Sequence, residues 1–141
     1  MKTINAYLTF NGDCRKAMKF YQKCLGGKLS FQTVGESPLS AKMPAKMKSI
    51  ILHCELKKED FILMATDMIS DSGLMKGNAI SLVLHCNSER EIKRCYRALS
   101  VGGKQTHPLE TTYWGALFGT LTDKFGHSWL LNYKTNSSSK K

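Results

Sequence analysis

The side chains able to do chemistry in this chain are few and widely spaced. They are His53, His85, His107 and His127, the cysteines Cys14, Cys24, Cys54, Cys86 and Cys95, two turn-flanking aspartates, Asp67 and Asp123, and a handful of aromatics. His53 alternates with Ile51 and Glu55, against Ile50, Leu52, Cys54 and Leu56, which puts it on one face of a strand. There it either binds a ligand oxygen or stands as a half-exposed sheet histidine. His85 ends an apolar run, His107 precedes Pro108 and His127 follows a Phe-Gly turn, so these three read as structural or solvated. No spacing gathers the histidines into a metal site. His53-Cys54 and His85-Cys86 are adjacent on strands and point to opposite faces, so neither pair forms a nucleophile-base dyad with itself. Asp67 and Asp123 end strands at what read as equivalent places in two similar halves, where an aspartate serves as a local acceptor for backbone N–H groups.

The elements that position these groups come in two sets. Residues 4–10 read as a strand, with Ala6, Leu8 and Phe10 on one face and Asn5, Tyr7 and Thr9 on the other. From about Asp13 a helix carries Cys14, Ala17, Met18, Tyr21 and Leu25 on one stripe, and Gly26-Gly27 stops it. Strands near 28–35 and 49–56 flank a loop with Pro38 and Pro44, and a third apolar run covers 61–65. The plan then repeats: a strand at 79–86, a helix opened by the Ser88-Glu89-Arg90-Glu91 capping box and striped by Ile92, Cys95, Tyr96 and Leu99, a Gly102-Gly103 stop, and strands near 104–109, 114–122 and 127–133. The spacing predicts module 1 over 3–67, a linker over 68–78 and module 2 over 79–133 of a single domain spanning 1–133. The serine- and lysine-rich residues 134–141 read as a flexible tail.

A four-stranded module of this size leaves one sheet face uncovered, so two of them are expected to share a core. Helices on the outer faces and inner faces curved around a hollow give an α+β architecture with one curved eight-stranded mixed sheet around a cavity. Tyr7 then supplies an aromatic wall with a polar tip, or simple filling. Trp114 opens the seventh strand, where Gly115 and Gly119 share a face, and reads as a pocket wall or an interface anchor. Trp129, of the opposite parity to Leu130, belongs to the core beneath the second helix. The loop 36–49, with Lys42, Lys46 and Lys48, is either a solvated loop or a lid that attracts an anionic ligand.

Composition narrows the classes. The chain has 141 residues, 21 Lys+Arg against 11 Asp+Glu and a formal charge of +10. All the basic residues except Arg15, Arg90, Arg94 and Arg97 are lysine, and scattered lysine does not provide the bidentate forks that read phosphates and bases, which argues against nucleic acid as the partner. Five cysteines, an odd count without a C-x-x-C, fit neither a disulfide framework nor a zinc ribbon, and together with the lack of any ~18-residue apolar run they point to the cytoplasm and away from the membrane.

The motifs Tyr7-Leu8-Thr9-Phe10-Asn11-Gly12, Ala17-Met18-Lys19-Phe20-Tyr21 before Leu25-Gly26-Gly27, Gly102-Gly103-Lys104, Tyr113-Trp114-Gly115 and Asp123-Lys124-Phe125-Gly126-His127-Ser128-Trp129 come in an order that resembles the PhnB-like branch of the vicinal oxygen chelate superfamily. That superfamily includes glyoxalase I, bleomycin-resistance proteins and extradiol dioxygenases. The resemblance implies paired βαβββ modules, a homodimer, and a divalent metal held by inward side chains of the first and last strand of each module. Strand alternation maps those positions onto Asn5, Met64, Ser81 and Leu130, with Ala6, Leu63 and Ala79 as neighbouring alternatives. Such a set lacks the imidazole and carboxylate donors that the chemistry needs. The expectation is therefore a protein that binds an unidentified small molecule in its cavity, with no cofactor, no metal ligand and no assigned catalytic residue. Its candidate lining is Tyr7, His53, Met64, Trp114 and Leu130. The alternative is a metal-dependent lyase, isomerase or dioxygenase with relocated ligands. Some relatives carry a methyltransferase label, but no glycine-rich cofactor loop is present to support one.

Overall fold

A computed structural model describes residues 2–135. Its elements run β1 (Ala6–Thr9), α1 (Cys14–Leu25), β2 (Lys28–Thr33), β3 (Ile51–Lys58), β4 (Phe61–Thr66), β5 (Ser81–His85), α2 (Glu89–Ser100), β6 (Lys104–Thr111), β7 (Ala116–Thr122) and β8 (Ser128–Lys134). The chain divides between Met75 and Lys76 into two compact units. Each is a four-stranded mixed sheet, ordered β1-β4-β3-β2 in the first and β5-β8-β7-β6 in the second. In each, the first strand pairs parallel with the last, and the other neighbours run antiparallel. This is the doubled βαβββ plan of an α+β protein.

In the first unit α1 lies on one sheet face. Its stripe of Cys14, Ala17, Met18, Tyr21, Cys24 and Leu25 is buried, as are Leu8, Phe10, Cys54, Leu56, Leu63 and Ala65 from the strands. The period-3.6 stripe and the period-2 strand pattern thus meet on one side, and the odd residues of β1 are left on the other. The hydrogen bond that the Cys14 thiol donates to the Cys54 sulfur, and then burial, push the Cys14 thiol up, away from nucleophile behaviour, and the bond to Cys95 and burial do the same to Cys86 in the second unit. All five cysteines are buried and unbridged, consistent with packing roles.

The alternation in β3 fails at one end. Gln32 pairs with His53 but Thr33 pairs with Ile51, so Leu52 is an extra residue in a bulge. The bulge inverts the parity of Ile51, which is buried against the expectation that it shares the His53 face.

The helix starts also differ from the sequence reading. Asp13 at the start of α1 makes no side-chain cap, and the N–H groups of Gly12 and Cys14 are instead taken by Oδ1 of Asp67, at 2.9 and 3.0 Å. At α2 the Ser88 hydroxyl accepts from Glu91 N, whereas the Glu91 carboxylate takes the Asn87 N–H at 2.7 Å, one residue before the Ser88 N–H that a reciprocal box requires.

In the second unit, Ile92, Cys95, Tyr96 and Leu99 of α2 are buried with Leu121, Leu131 and Trp129. Pro108 is tolerated because β6 is an edge strand, and the β6–β7 register is broken between His107 and Glu110. Trp114 does not open β7. It lies in the turn before Ala116, next to Gly115, whose φ of 83° is open chiefly to glycine. Lys134 belongs to β8, and the Thr135 N–H donates to the Gly115 carbonyl, so these two residues are part of the unit where a tail is expected. Residues 136–141 of that segment lie outside the described residues.

Gly103 lies tightly against the backbone of the Thr122–Asp123 segment. A Cβ there would collide with the Thr122 carbonyl oxygen and come within 2.8 Å of the Asp123 carbonyl carbon. Because backbone cannot rotate away as a side chain can, Gly103→Ala is expected to cost about 3 kcal/mol. Urea unfolding checks this: the midpoint falls with the slope unchanged.

Candidate functional site on the open face of the first sheet

The face of β1-β4-β3-β2 turned away from α1 carries Tyr7 on β1, Met64 on β4 and His53 and Glu55 on β3. Register sets them side by side: Met64 is the pairing partner of Tyr7 on one flank and of Glu55 on the other. Tyr7 is 51% exposed, unusual for a strand aromatic, and leans across β4 until its ring stacks on His53 with centroids 6.0 Å apart and planes 25° apart. The His53 Nε2 lies 3.1 Å from Glu55 Oε2, and both side chains are about a third exposed, at 36% and 37%. Across β2, Gln32 is paired with His53 and Ser30 with Glu55, and Lys28 and Lys57 form the next pair on this face, so the surface beside the site is polar and carries positive charge at one end.

This arrangement can do three things. The Tyr7 ring offers a π-face, Met64 a polarizable apolar floor, and the imidazole-carboxylate pair a directional polar group. Tyr7, His53 and Met64 of the expected set are thereby brought together. Glu55 was visible as a neighbour of His53 in the alternation but not as its partner. The signal was the i,i+2 spacing of an imidazole and a carboxylate on one strand face.

Leu130 and Trp114 belong to the second unit. Leu130 is paired with Val83 on one side and Thr120 on the other, which makes it the counterpart of Met64. Trp114 packs edge-on with Tyr113 at 5.0 Å and with Phe118 at 6.3 Å, an aromatic cluster of which the sequence reading saw only Trp114. Of the remaining histidines, His85 approaches Asn132 Nδ2 at 3.4 Å, His107 pairs with Glu110 at 2.9 Å, and the His127 N–H donates to Asp123.

The two aspartates are buried acceptors of backbone N–H groups, as expected, but they are not equivalent. Asp67 follows β4, the last strand of the first unit, whereas Asp123 follows β7, the third strand of the second. The Asp67 carboxylate takes N–H groups from Gly12, Cys14 and Ile51, and that of Asp123 those of Phe125, His127 and the Trp129 indole. Three N–H bonds on each carboxylate give both aspartates a structural role.

The positions onto which the resemblance maps a metal differ in chemistry from the donors it needs. An amide at Asn5, a thioether at Met64, a hydroxyl at Ser81 and an aliphatic chain at Leu130 do not fit a divalent cation that needs imidazole or carboxylate. Among the described residues no group of three or more His, Cys, Asp or Glu side chains is placed to hold a metal ion. No helix among the described residues is long and apolar enough to cross a membrane.

The loop between β2 and β3 is built from three short 3-10 turns, Val34–Glu36, Pro38–Lys42 and Ala45–Met47. Thr33 and Glu36 cap the first reciprocally, and the backbone and then the hydroxyl of Thr33 hold the Glu36 carboxyl below its usual range. Lys42, Lys46 and Lys48 stand on this frame.

Comparison with known proteins places the whole architecture. Residues 3–131 match the Glyoxalase/Bleomycin resistance protein/Dioxygenase superfamily. The Escherichia coli K12 protein YjdN is 32% identical over 138 residues, covering 92% of this chain and 93% of its own. The crystal structure of PA1353 from Pseudomonas aeruginosa superposes with a TM-score of 0.81 at 38% identity, over 95% of this chain and 98% of that one. A PhnB protein from Bacillus cereus, described as a putative 3-demethylubiquinone-9 3-methyltransferase, shares the fold at TM-score 0.73 and 24% identity, over 94% and 99%. Two βαβββ units, matched along nearly their full length by sequence and by structure, make this chain a member of the glyoxalase/bleomycin resistance protein/dioxygenase superfamily, with PhnB among its structural neighbours.

Proposed function

We propose that the protein binds a small molecule on the open face of the first sheet, against Tyr7, His53, Glu55 and Met64, without the superfamily's metal. One observation carries this reading. A half-exposed tyrosine is stacked on a half-exposed histidine, which is itself tied to a carboxylate, on a face where the sheet needs none of them for its core. Exposed aromatic surface beside a fixed polar group is costly to leave in water and suits a partly apolar ligand that covers it. Trp114 and Leu130 are proposed separately, as ligand-contacting residues on the second unit's own surface, and a homodimer in the cytoplasm is the setting in which we place the protein.

NMR titration with small aromatic and aliphatic compounds is the test. The expected result is saturable shifts at Tyr7 and His53, with the affinity of aromatic compounds falling roughly fivefold to tenfold in Tyr7→Leu, the loss of one stacking contact. Shifts confined to other surfaces sink the proposal. The competing reading, a metalloenzyme with relocated ligands, demands that zinc, nickel, manganese or iron raise the melting temperature and support turnover of hemithioacetals or catechols.

A further inference from the structure

We propose that His53 is the proton acceptor of this site, held by Glu55 with Nδ1 turned to the ligand, so that the ligand class is a planar molecule with an acidic O–H, a phenol or an enol. The inference rests on the binding reading above and deepens it.

The tautomer follows from the contact. A carboxylate can only accept, so the 3.1 Å approach of Glu55 Oε2 to His53 Nε2 makes Nε2 the N–H donor, and the lone pair of a neutral imidazole is then on Nδ1. Among the described residues nothing donates to that nitrogen. The groups facing His53 from the neighbouring elements are Tyr7 from β1, Gln32 and Ser30 from β2, and Met64 and Thr66 from β4. On β3 itself there is Glu55, with Lys57 one step beyond it. Thr66 is engaged with the Leu52 carbonyl at 2.8 Å. The stacked Tyr7 ring blocks one face of the imidazole and offers its own free surface to a planar ligand.

The second unit supplies the control that the fold does not need this pair. Through the register, Tyr7 and Met64 correspond to Val83 and Leu130, and Glu55, the other neighbour of Met64, corresponds to Thr120. His53, two residues before Glu55, then corresponds to Phe118. The same scaffold thus holds four uncharged, non-titrating side chains in one copy and an imidazole, a carboxylate and a phenol in the other. Groups that one copy of a module dispenses with are not there to hold the sheet together.

The step is a single proton transfer. The ligand O–H bond breaks, its electron pair stays on oxygen, and the proton moves to Nδ1. The resulting imidazolium is paired on its Nε2 side with the Glu55 carboxylate, and the ligand leaves or reacts onward as phenolate or enolate. His53 touches the ligand; Glu55 acts through it as a positioning residue.

Two measurements on the full chain test this. Nitrogen-15 NMR of the histidine side chains, with the His53 signals identified by their loss in His53→Gln, should show Nε2 protonated and Nδ1 bare; a protonated Nδ1 in the neutral ring overturns the proposal, with or without a ligand. The second uses 4-nitrophenol, at a pH where the free compound is neutral. Bound to the wild-type protein it should show the visible phenolate band, which falls roughly tenfold or more in His53→Gln. Glu55→Gln, whose amide oxygen can still accept from Nε2, should keep the tautomer and weaken the band. Shifts at Tyr7 without a band leave the binding reading standing and sink the proton transfer. No shift at Tyr7 removes both, and so does a band that survives His53→Gln. Both variants lie on partly exposed positions, and an unchanged melting temperature confirms that they fold.

Discussion

Replacing Asp67 by alanine lowers stability by about 4 kcal/mol, on the expectation that three N–H groups bonded to one carboxylate lose their acceptor together. The bonds run from Gly12 and Cys14 to Oδ1 and from Ile51 to Oδ2, at 2.9, 3.0 and 3.2 Å, and the side chain is buried. They tie the start of α1 to the end of β4 and the start of β3, so one side chain fastens a helix start more than fifty residues away to two neighbouring strands. The charge matters as well as the bonds. The first turn of α1 carries Arg15 and Lys16 and no acidic residue, and Asp67, together with Asp13 at the N-cap, sets negative charge against the positive end of the helix dipole. Asp67→Asn is therefore expected to recover only part of the loss, since its Nδ2 would have to face the Ile51 N–H, donor against donor. Thermal denaturation checks the series: at about 4 °C per kcal/mol the alanine variant should melt roughly 15 °C lower, with asparagine between. Equal melting of wild type and alanine variant would show that another group caps α1.

The second large effect is expected at Asp123, which is 3% exposed. Its Oδ1 receives the N–H groups of Phe125 and His127 at 2.8 and 3.1 Å, and its Oδ2 the indole N–H of Trp129 at 2.8 Å. The aspartate both shapes the turn from β7 to β8 and anchors the indole of a core residue beneath α2. Asp123→Ala leaves two turn N–H groups and a buried indole N–H without their acceptor, a loss of about 4 kcal/mol. The companion variant Trp129→Phe removes the indole bond and part of the buried ring, and should cost about 2–3 kcal/mol. A double-mutant cycle separates the two roles: coupling between the sites measures the indole bond, and the remainder measures the turn. If Asp123→Ala and Trp129→Phe cost the same, the turn contributes nothing. Neither aspartate variant is expected to change ligand affinity beyond its effect on folding, because both carboxylates are engaged with backbone and indole N–H groups.

Much of the architecture was legible in the chain. The helix stripes were legible because five positions at three- and four-residue spacing in α1, and four in α2, have no other periodic explanation; the structure adds Cys24 to the first stripe. The Gly26-Gly27 stop stands with φ of 80° and 108°. The parity of β1, with Leu8 and Phe10 buried and Tyr7 exposed, follows from alternation over a short regular strand. Where the chain departs from regular geometry, the pattern lost its meaning. One extra residue at Leu52 reversed the expected face of Ile51. Gly115 turned Trp114 out of β7. The apparent capping box of α2 takes the N–H one residue earlier.

What the sequence by itself determined was the doubled module, its helices, the faces of its regular strands, and the chemical poverty of the inherited metal positions, since side-chain type is enough to say that Met64 and Leu130 cannot replace an imidazole or a carboxylate. These are local properties, governed by periods of two and 3.6 and by functional-group chemistry. The tertiary structure decided the pairings: Asp67 with the start of a helix more than fifty residues away, Asp123 with Trp129, Tyr7 stacked over β4 onto His53, and Glu55 as the group that fixes that imidazole. Such contacts depend on strand order and register, which are selected by the packing of the whole sheet and leave no fixed spacing in the chain to be read.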